Sequence, residues 1–114
     1  PAALHALCDD ALARGLAPVV EAADGGELEV ALTTPATIVG VNARDLRTFK
    51  VDPVAAQQAL LRIPRDRIAV HMSGIHTARD YAAVAEGRAD AVLIGESLMR
   101  AERPSLKLRE LLQG

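Results

Sequence analysis

Apolar positions in residues 2–14 recur at helical spacing, with Leu4, Leu7, Cys8, Ala11 and Leu12 on one face and Gly15 following as a natural stop. This predicts an opening helix. A short apolar run at 17–21 (APVVE) reads as a strand, and Asp24 stands three residues before Glu27, the spacing of a capping box, ahead of Leu28, Ala31 and Leu32. TIVGV (37–41) is β-branched and continuous, as suits a strand covered on both faces. Asp52-Pro53 supplies an N-cap with proline at the first helical position, opening a helix to about Leu61. RIAVHM (67–72) predicts a third strand, Thr77 caps a helix ending near Gly87, and DAVLI (90–94) predicts a fourth strand. A short helical run, ESLMR, and a last helix carrying Leu106, Leu108, Leu111 and Leu112 complete the chain.

The order is one helix followed by four βα units. Short continuous strands alternating with amphipathic helices mean an α/β fold with a parallel sheet and right-handed crossovers. Two architectures satisfy the pattern, an open doubly wound sheet or part of a (βα)8 barrel. A complete barrel takes about 250 residues, so 114 residues have room for half of one. Both architectures place their chemistry at the C-terminal ends of the strands.

Composition narrows the function. No apolar run approaches the roughly 20 residues of a membrane span, and the first residues lack the pattern of a signal peptide, so the expected setting is cytoplasmic. Fifteen acidic against thirteen basic residues, with Tyr81 and Phe49 as the only aromatics, argue against a nucleic-acid surface and against base stacking. The lone Cys8 excludes an internal disulfide. Residues 58–114 hold nine basic and seven acidic residues, against four and eight before them, which makes the second half the better host for an anion.

Four strand ends carry candidate chemistry. Glu21 ends the first, where partial desolvation suits a carboxylate to acid/base work. Asn42 and Arg44 follow the second within VGVNARDL (39–46), an amide and a guanidinium suited to an oxygen-rich anion, with Asp45 near enough to orient Arg44. Ser73-Gly74 follows the third and Gly95-Glu96-Ser97 the fourth, where glycine lets backbone N–H groups approach an anion closely. Metal binding is not expected. His5 and Cys8 read as a packed helix face, His71 as a strand residue pointing into the helix layer, and Arg62, Arg65 and Arg67 as a solvated loop face.

At NARDLRTFKVD (42–52), SGIHTARD (73–80) and ADAVLIGESLMR (89–100), in this order and spacing, the chain resembles indole-3-glycerol phosphate synthase of tryptophan biosynthesis. The likeness runs from a helix like the family's fourth, through strands five to eight, to the terminal helix, making residues 1–114 one C-terminal half-barrel segment. The resemblance implies a lyase. Its reaction decarboxylates, cyclises and dehydrates 1-(2-carboxyphenylamino)-1-deoxyribulose 5-phosphate to indole-3-glycerol phosphate, CO2 and water, without metal or organic cofactor. Glu21 matches the strand-five glutamate of the acid/base steps, Asn42 the asparagine that holds the substrate, and Ser73 a strand-seven active-site serine. Arg44 matches the arginine near the phosphate, and Gly74, Gly95 and Glu96 match positions whose backbone N–H groups bind it.

Two departures qualify the resemblance. Where the family usually reads Ser-Glu-Ser-Gly, this chain reads His71-Met72-Ser73-Gly74, and methionine cannot transfer a proton. The family's two catalytic lysines and a further glutamate lie on strands one and three, which have no counterpart here; Lys50 in a loop and Lys107 in the last helix are not expected to reach the site. Such a half exposes sheet edges and an apolar inner face, so it is expected to need a partner, either the missing N-terminal half-barrel or a second copy. Pro1 in place of an initiating methionine favours truncation from a longer chain. The other readings are a non-catalytic or engineered phosphate-binding half-barrel, or another phosphate-binding barrel enzyme.

Overall fold

The computed structural model describes residues 2–45 and 47–113; Pro1, Leu46 of the loop motif and Gly114 lie outside them. The elements are α1 (Ala2–Ala13), β1 (Val19–Ala22), α2 (Gly25–Thr33), β2 (Ile38–Asn42), α3 (Pro53–Leu61), β3 (Ile68–Met72), α4 (Ala78–Ala85), β4 (Ala91–Leu93), α5 (Glu96–Arg100) and α6 (Pro104–Leu112). The four strands are parallel and lie in the order β1-β2-β3-β4. That order decides between the two architectures. A doubly wound sheet reverses its strand order at a switch point, whereas an unreversed series of crossovers keeps every helix on one face and makes an arc of a barrel.

The register identifies the two faces. Val20, Val39 and Ala69 are aligned across β1, β2 and β3, and so are Ala22, Val41 and His71. All six are buried and form the helix-side face. The intervening positions face the other way, toward what would be a barrel interior. There Val19 is 49% exposed, Ile68 46% and Leu93 57%. Two inward residues are covered: Met72 is buried with its side chain lying across the buried Gly40, in space that any Cβ at position 40 would invade.

Local chemistry sets the element ends. Gly15 takes φ +78 and closes α1 with two bonds, Gly15 N–H to Leu12 and Leu16 N–H to Ala11, the paired pattern of a Schellman stop. Asp24 accepts from the Glu27 N–H at 2.8 Å, but the Glu27 carboxylate returns to Ala23 rather than to Asp24, so the box is displaced by one residue. Thr77 and Asp80 form the full reciprocal box. Asp52 caps α3 through Ala55 N–H, with Pro53 in the first turn.

The apolar layer has two parts. Cys8, Leu28, Val39, Val41, Leu60 and Ala69 belong to the larger, between the sheet and α1, α2 and α3, while Ile75, Val84 and Leu111 anchor a smaller one around α4, α5 and α6. Here the apolar pattern overreached. Leu7 and Leu12 are exposed on α1, where Leu4, Cys8 and Ala11 make the inward stripe, and of the four leucines on α6 only Leu111 is buried. The fourth strand is three residues, not five.

One buried cation was not foreseen. Arg88, 4% exposed, donates to the carbonyls of Ile63, Pro64 and Arg67 and to the Asp90 carboxylate at 2.8 Å. Asp90 in turn accepts from Ala69 N–H, so this cluster ties the loop entering β3 to the turn entering β4. Arg67 also departs from a purely solvated role, donating to the Leu32 carbonyl at 2.8 Å, while Arg62 pairs with Glu29 on the surface.

Candidate functional site

All the sequence-predicted site residues lie at or just beyond the C-terminal ends of the strands, but they fall into two groups. Glu21 ends the inward row of β1 and Asn42 that of β2, and the Asn42 amide donates to Glu21 Oε1 at 2.8 Å. The same side chain accepts from Arg44 N–H at 3.0 Å. Asn42 is thereby oriented at both ends, holding the Glu21 carboxylate and starting the turn that launches Arg44.

The second group surrounds a cleft of about 300 Å³ lined by Arg44, Ser73, Gly74, His76, Gly95, Glu96 and Ser97, among others. Residues 43–52 leave the sheet and come back. Ala43 N–H donates to Met72, Asp52 N–H to Ala43, and Arg44 bridges Val51. This fold-back puts Val51 against Gly74, where an added Cβ would stand 2.8 Å from a Val51 methyl. Gly74 at φ +76 and Ser73 at φ +67 are consecutive left-handed residues; a serine there stores strain of the kind that collects at ligand loops.

Arg44 is where the expectation needs correction. Asp45 does not orient it: that carboxylate accepts from the N–H groups of Arg47 and Thr48, which hold its pKa below the ordinary value, and the Arg47 guanidinium approaches at 3.6 Å. Arg44 is held instead by Glu96, Nη2 to Oε2 at 2.6 Å. The other Glu96 oxygen meets Arg100 at 3.3 Å. Hydrogen bonding from Arg44, its charge and the Arg100 charge together keep the Glu96 carboxyl below the usual glutamate range. Arg44 Nε is enclosed and meets no hydrogen-bond partner among the described residues.

His76 was not chosen from the sequence. It lines the same cleft, and its Nδ1 meets Ser97 Oγ at 2.9 Å, which joins the β3 loop to the β4 loop. The Ser97 hydroxyl also donates to the Ile75 carbonyl. Lys107 comes closer than its place in α6 suggests, donating from Nζ to the His76 carbonyl at 2.9 Å, although that contact commits it to the rim. His71 lies in the helix layer, as expected, and Cys8 is buried on the packed face of α1. His5 meets the Thr33 carbonyl and hydroxyl. Among the described residues, no three His, Cys, Asp or Glu side chains gather as a metal centre, and no helix is long and apolar enough to cross a membrane.

Comparison with known proteins bears on the family and the fold. The family profile described as indole-3-glycerol phosphate synthase matches residues 1–111. The chain is similar to indole-3-glycerol phosphate synthase of Acetivibrio thermocellus, 48% identical over 96 residues that cover 84% of this chain and 37% of that protein. The counterparts from Caldanaerobacter subterraneus subsp. tengcongensis (41% identity, 91% and 41% covered) and Chloroherpeton thalassium (44%, 90% and 40%) are matched likewise. The chain therefore spans about two fifths of the length of these relatives. Among solved structures, the Amycolatopsis orientalis BexX/CysO complex contains a chain that superposes with a TM-score of 0.64 at 25% identity, over 86% of this chain and 40% of that one.

Proposed function

Because the chain belongs to the indole-3-glycerol phosphate synthase family, we propose that it is the C-terminal half-barrel of such a synthase, strands five to eight, and carries the phosphate-binding end of its active site. On this reading the whole enzyme is a cytoplasmic lyase that turns 1-(2-carboxyphenylamino)-1-deoxyribulose 5-phosphate into indole-3-glycerol phosphate, CO2 and water. The observation that carries it is the convergence of Arg44, Gly74 and Gly95 from three strand ends on one cleft, at the end of the strands where barrels of this kind commonly hold phosphate. A guanidinium and glycine backbones that a phosphate can approach closely give charge and N–H donors together.

The remaining roles follow from the strand ends. Glu21, held by the Asn42 amide, is the acid/base carboxylate of this half. Asn42 positions substrate as well as Glu21, Ser73 bonds the substrate from its strained loop, and the backbone N–H groups of Gly74, Gly95 and Glu96 receive the phosphate. A Glu21→Gln change in the complete enzyme should cut turnover sharply, and undiminished turnover would remove Glu21 from the chemistry.

A second reading, a phosphate-binding half-barrel without catalysis, is favoured by Met72. Its thioether fills the inward space over Gly40, beside Asn42, where a proton-transferring side chain would otherwise stand. The partner half, the N-terminal barrel segment, would cover Val19, Ile68 and Leu93. The decisive assay incubates the purified chain with the carboxyphenylamino-deoxyribulose phosphate and follows indole fluorescence, then titrates inorganic phosphate while monitoring the Gly74 and Gly95 amides. We expect no product and moving amides. Product from the isolated chain would overturn the half-site reading, and unmoved amides would overturn the phosphate assignment.

A further inference from the structure

We infer that Glu96 is a specificity-determining residue of the cleft: its carboxylate is a resident occupant of the Arg44 guanidinium, and a phosphate enters by exchange with it. The inference rests on the phosphate reading above and adds what that reading leaves open, namely what Arg44 does before the ligand arrives.

Arg44 comes from the loop after β2 and Glu96 from the first position of α5, just past β4, so their 2.6 Å contact joins two strands that are not neighbours, across the cleft. The pairing is incomplete on both sides. A guanidinium presents donors as a fork that a two-oxygen or three-oxygen anion can grip twice. Glu96 gives Nη2 one oxygen and turns the other to Arg100, while Nε stays enclosed and unpartnered. The Arg44 side chain is only 25% exposed, so water is a poor substitute at that atom.

A phosphate oxygen pair supplies acceptors to Nη2 and, once the exchange uncovers it, to Nε as well; Glu96 gives up its shorter bond to Arg44 and keeps its exposed partner Arg100. Exchange keeps every charge partnered. The groups that face Glu96 are the Arg44 and Arg100 guanidiniums and the His76 ring, and none of them is anionic. A competing carboxylate can also grip the fork twice, but it brings one negative charge where the phosphate dianion brings two, and it must displace a Glu96 held at much higher local concentration. The resident carboxylate therefore raises the threshold for monoanions and leaves the cleft to the phosphate dianion.

The test compares the chain with its Glu96→Gln and Glu96→Ala variants in titrations with inorganic phosphate near neutral pH, following the Gly74 and Gly95 amides and the Arg44 Nε–H resonance. Both variants should bind phosphate about five- to tenfold more tightly than the parent, since they no longer spend ligand affinity on displacing a bound anion. The Nε–H resonance of the parent should shift on saturation. Tighter binding in both variants, including binding that the parent lacks, supports the inference. Equal or weaker binding in the variants, with a parent that binds, overturns it and makes Glu96 a strut for Arg44. Failure of all three to bind overturns the phosphate reading itself, and the inference with it.

Discussion

His71 packs its imidazole between sheet and helices, with Nε2–H donating to the Ser73 carbonyl at 3.1 Å and Nδ1 buried without a partner among the described residues. Burial pushes its pKa below the ordinary 6.5, and the Ser73 bond opposes this without reversing it. The sign for stability follows. Between pH 6.5 and the lower folded value, the unfolded chain binds a proton that the folded chain refuses, so stability falls as pH drops through that window and is fully present above it. The urea midpoint should therefore decline as the pH is taken below 6.5, and His71→Gln should flatten the slope there; a variant as steep as the parent would sink the assignment. At this scale the sequence was legible for residue type and placement but not for pairing. The sequence singles out Arg44, yet adjacency in the chain points to Asp45 as its partner. Asp45 is turned inward to its own loop by two backbone N–H groups, while Glu96, distant in the chain, arrives through the fold.

The helix starts were written locally. Asp24, Asp52-Pro53 and Thr77 each open the helix expected of them, because a cap is a contact within three or four residues. Thr77→Ala should cost about 1 kcal/mol of stability, measured by urea denaturation. Faces were harder to read than starts: periodicity assigns Leu7 and Leu12 to one stripe, but only a neighbouring element can bury them, and none does. Arg88 was illegible for the same reason. Nothing beside it marks a buried cation, and three of its acceptors lie in residues 63–67. Arg88→Met should destabilise the chain by about 3 kcal/mol, since it strands those carbonyls and leaves Asp90 without its pair. A cost near zero in equilibrium denaturation would mean that water replaces the guanidinium.

Across the whole molecule, the sheet is covered on one face only. Val19, Ile68 and Leu93 stand exposed on the other, leaving apolar surface to water. The isolated chain should self-associate in a concentration-dependent way by sedimentation, and Leu93→Lys should shift it toward monomer; a chain monomeric at every concentration would contradict this. The fold class was visible from alternation alone, but the choice between barrel arc and doubly wound sheet was not. Alternation says that strands are parallel and leaves their spatial order unstated. That order, β1-β2-β3-β4, bears on synthesis as well as shape. Each strand pairs with the one made just before it, after a crossover of about 15 to 25 residues. As the chain leaves the ribosome, every new βα unit finds its docking edge already present, so the sheet can grow one unit at a time without waiting for a segment still to be translated.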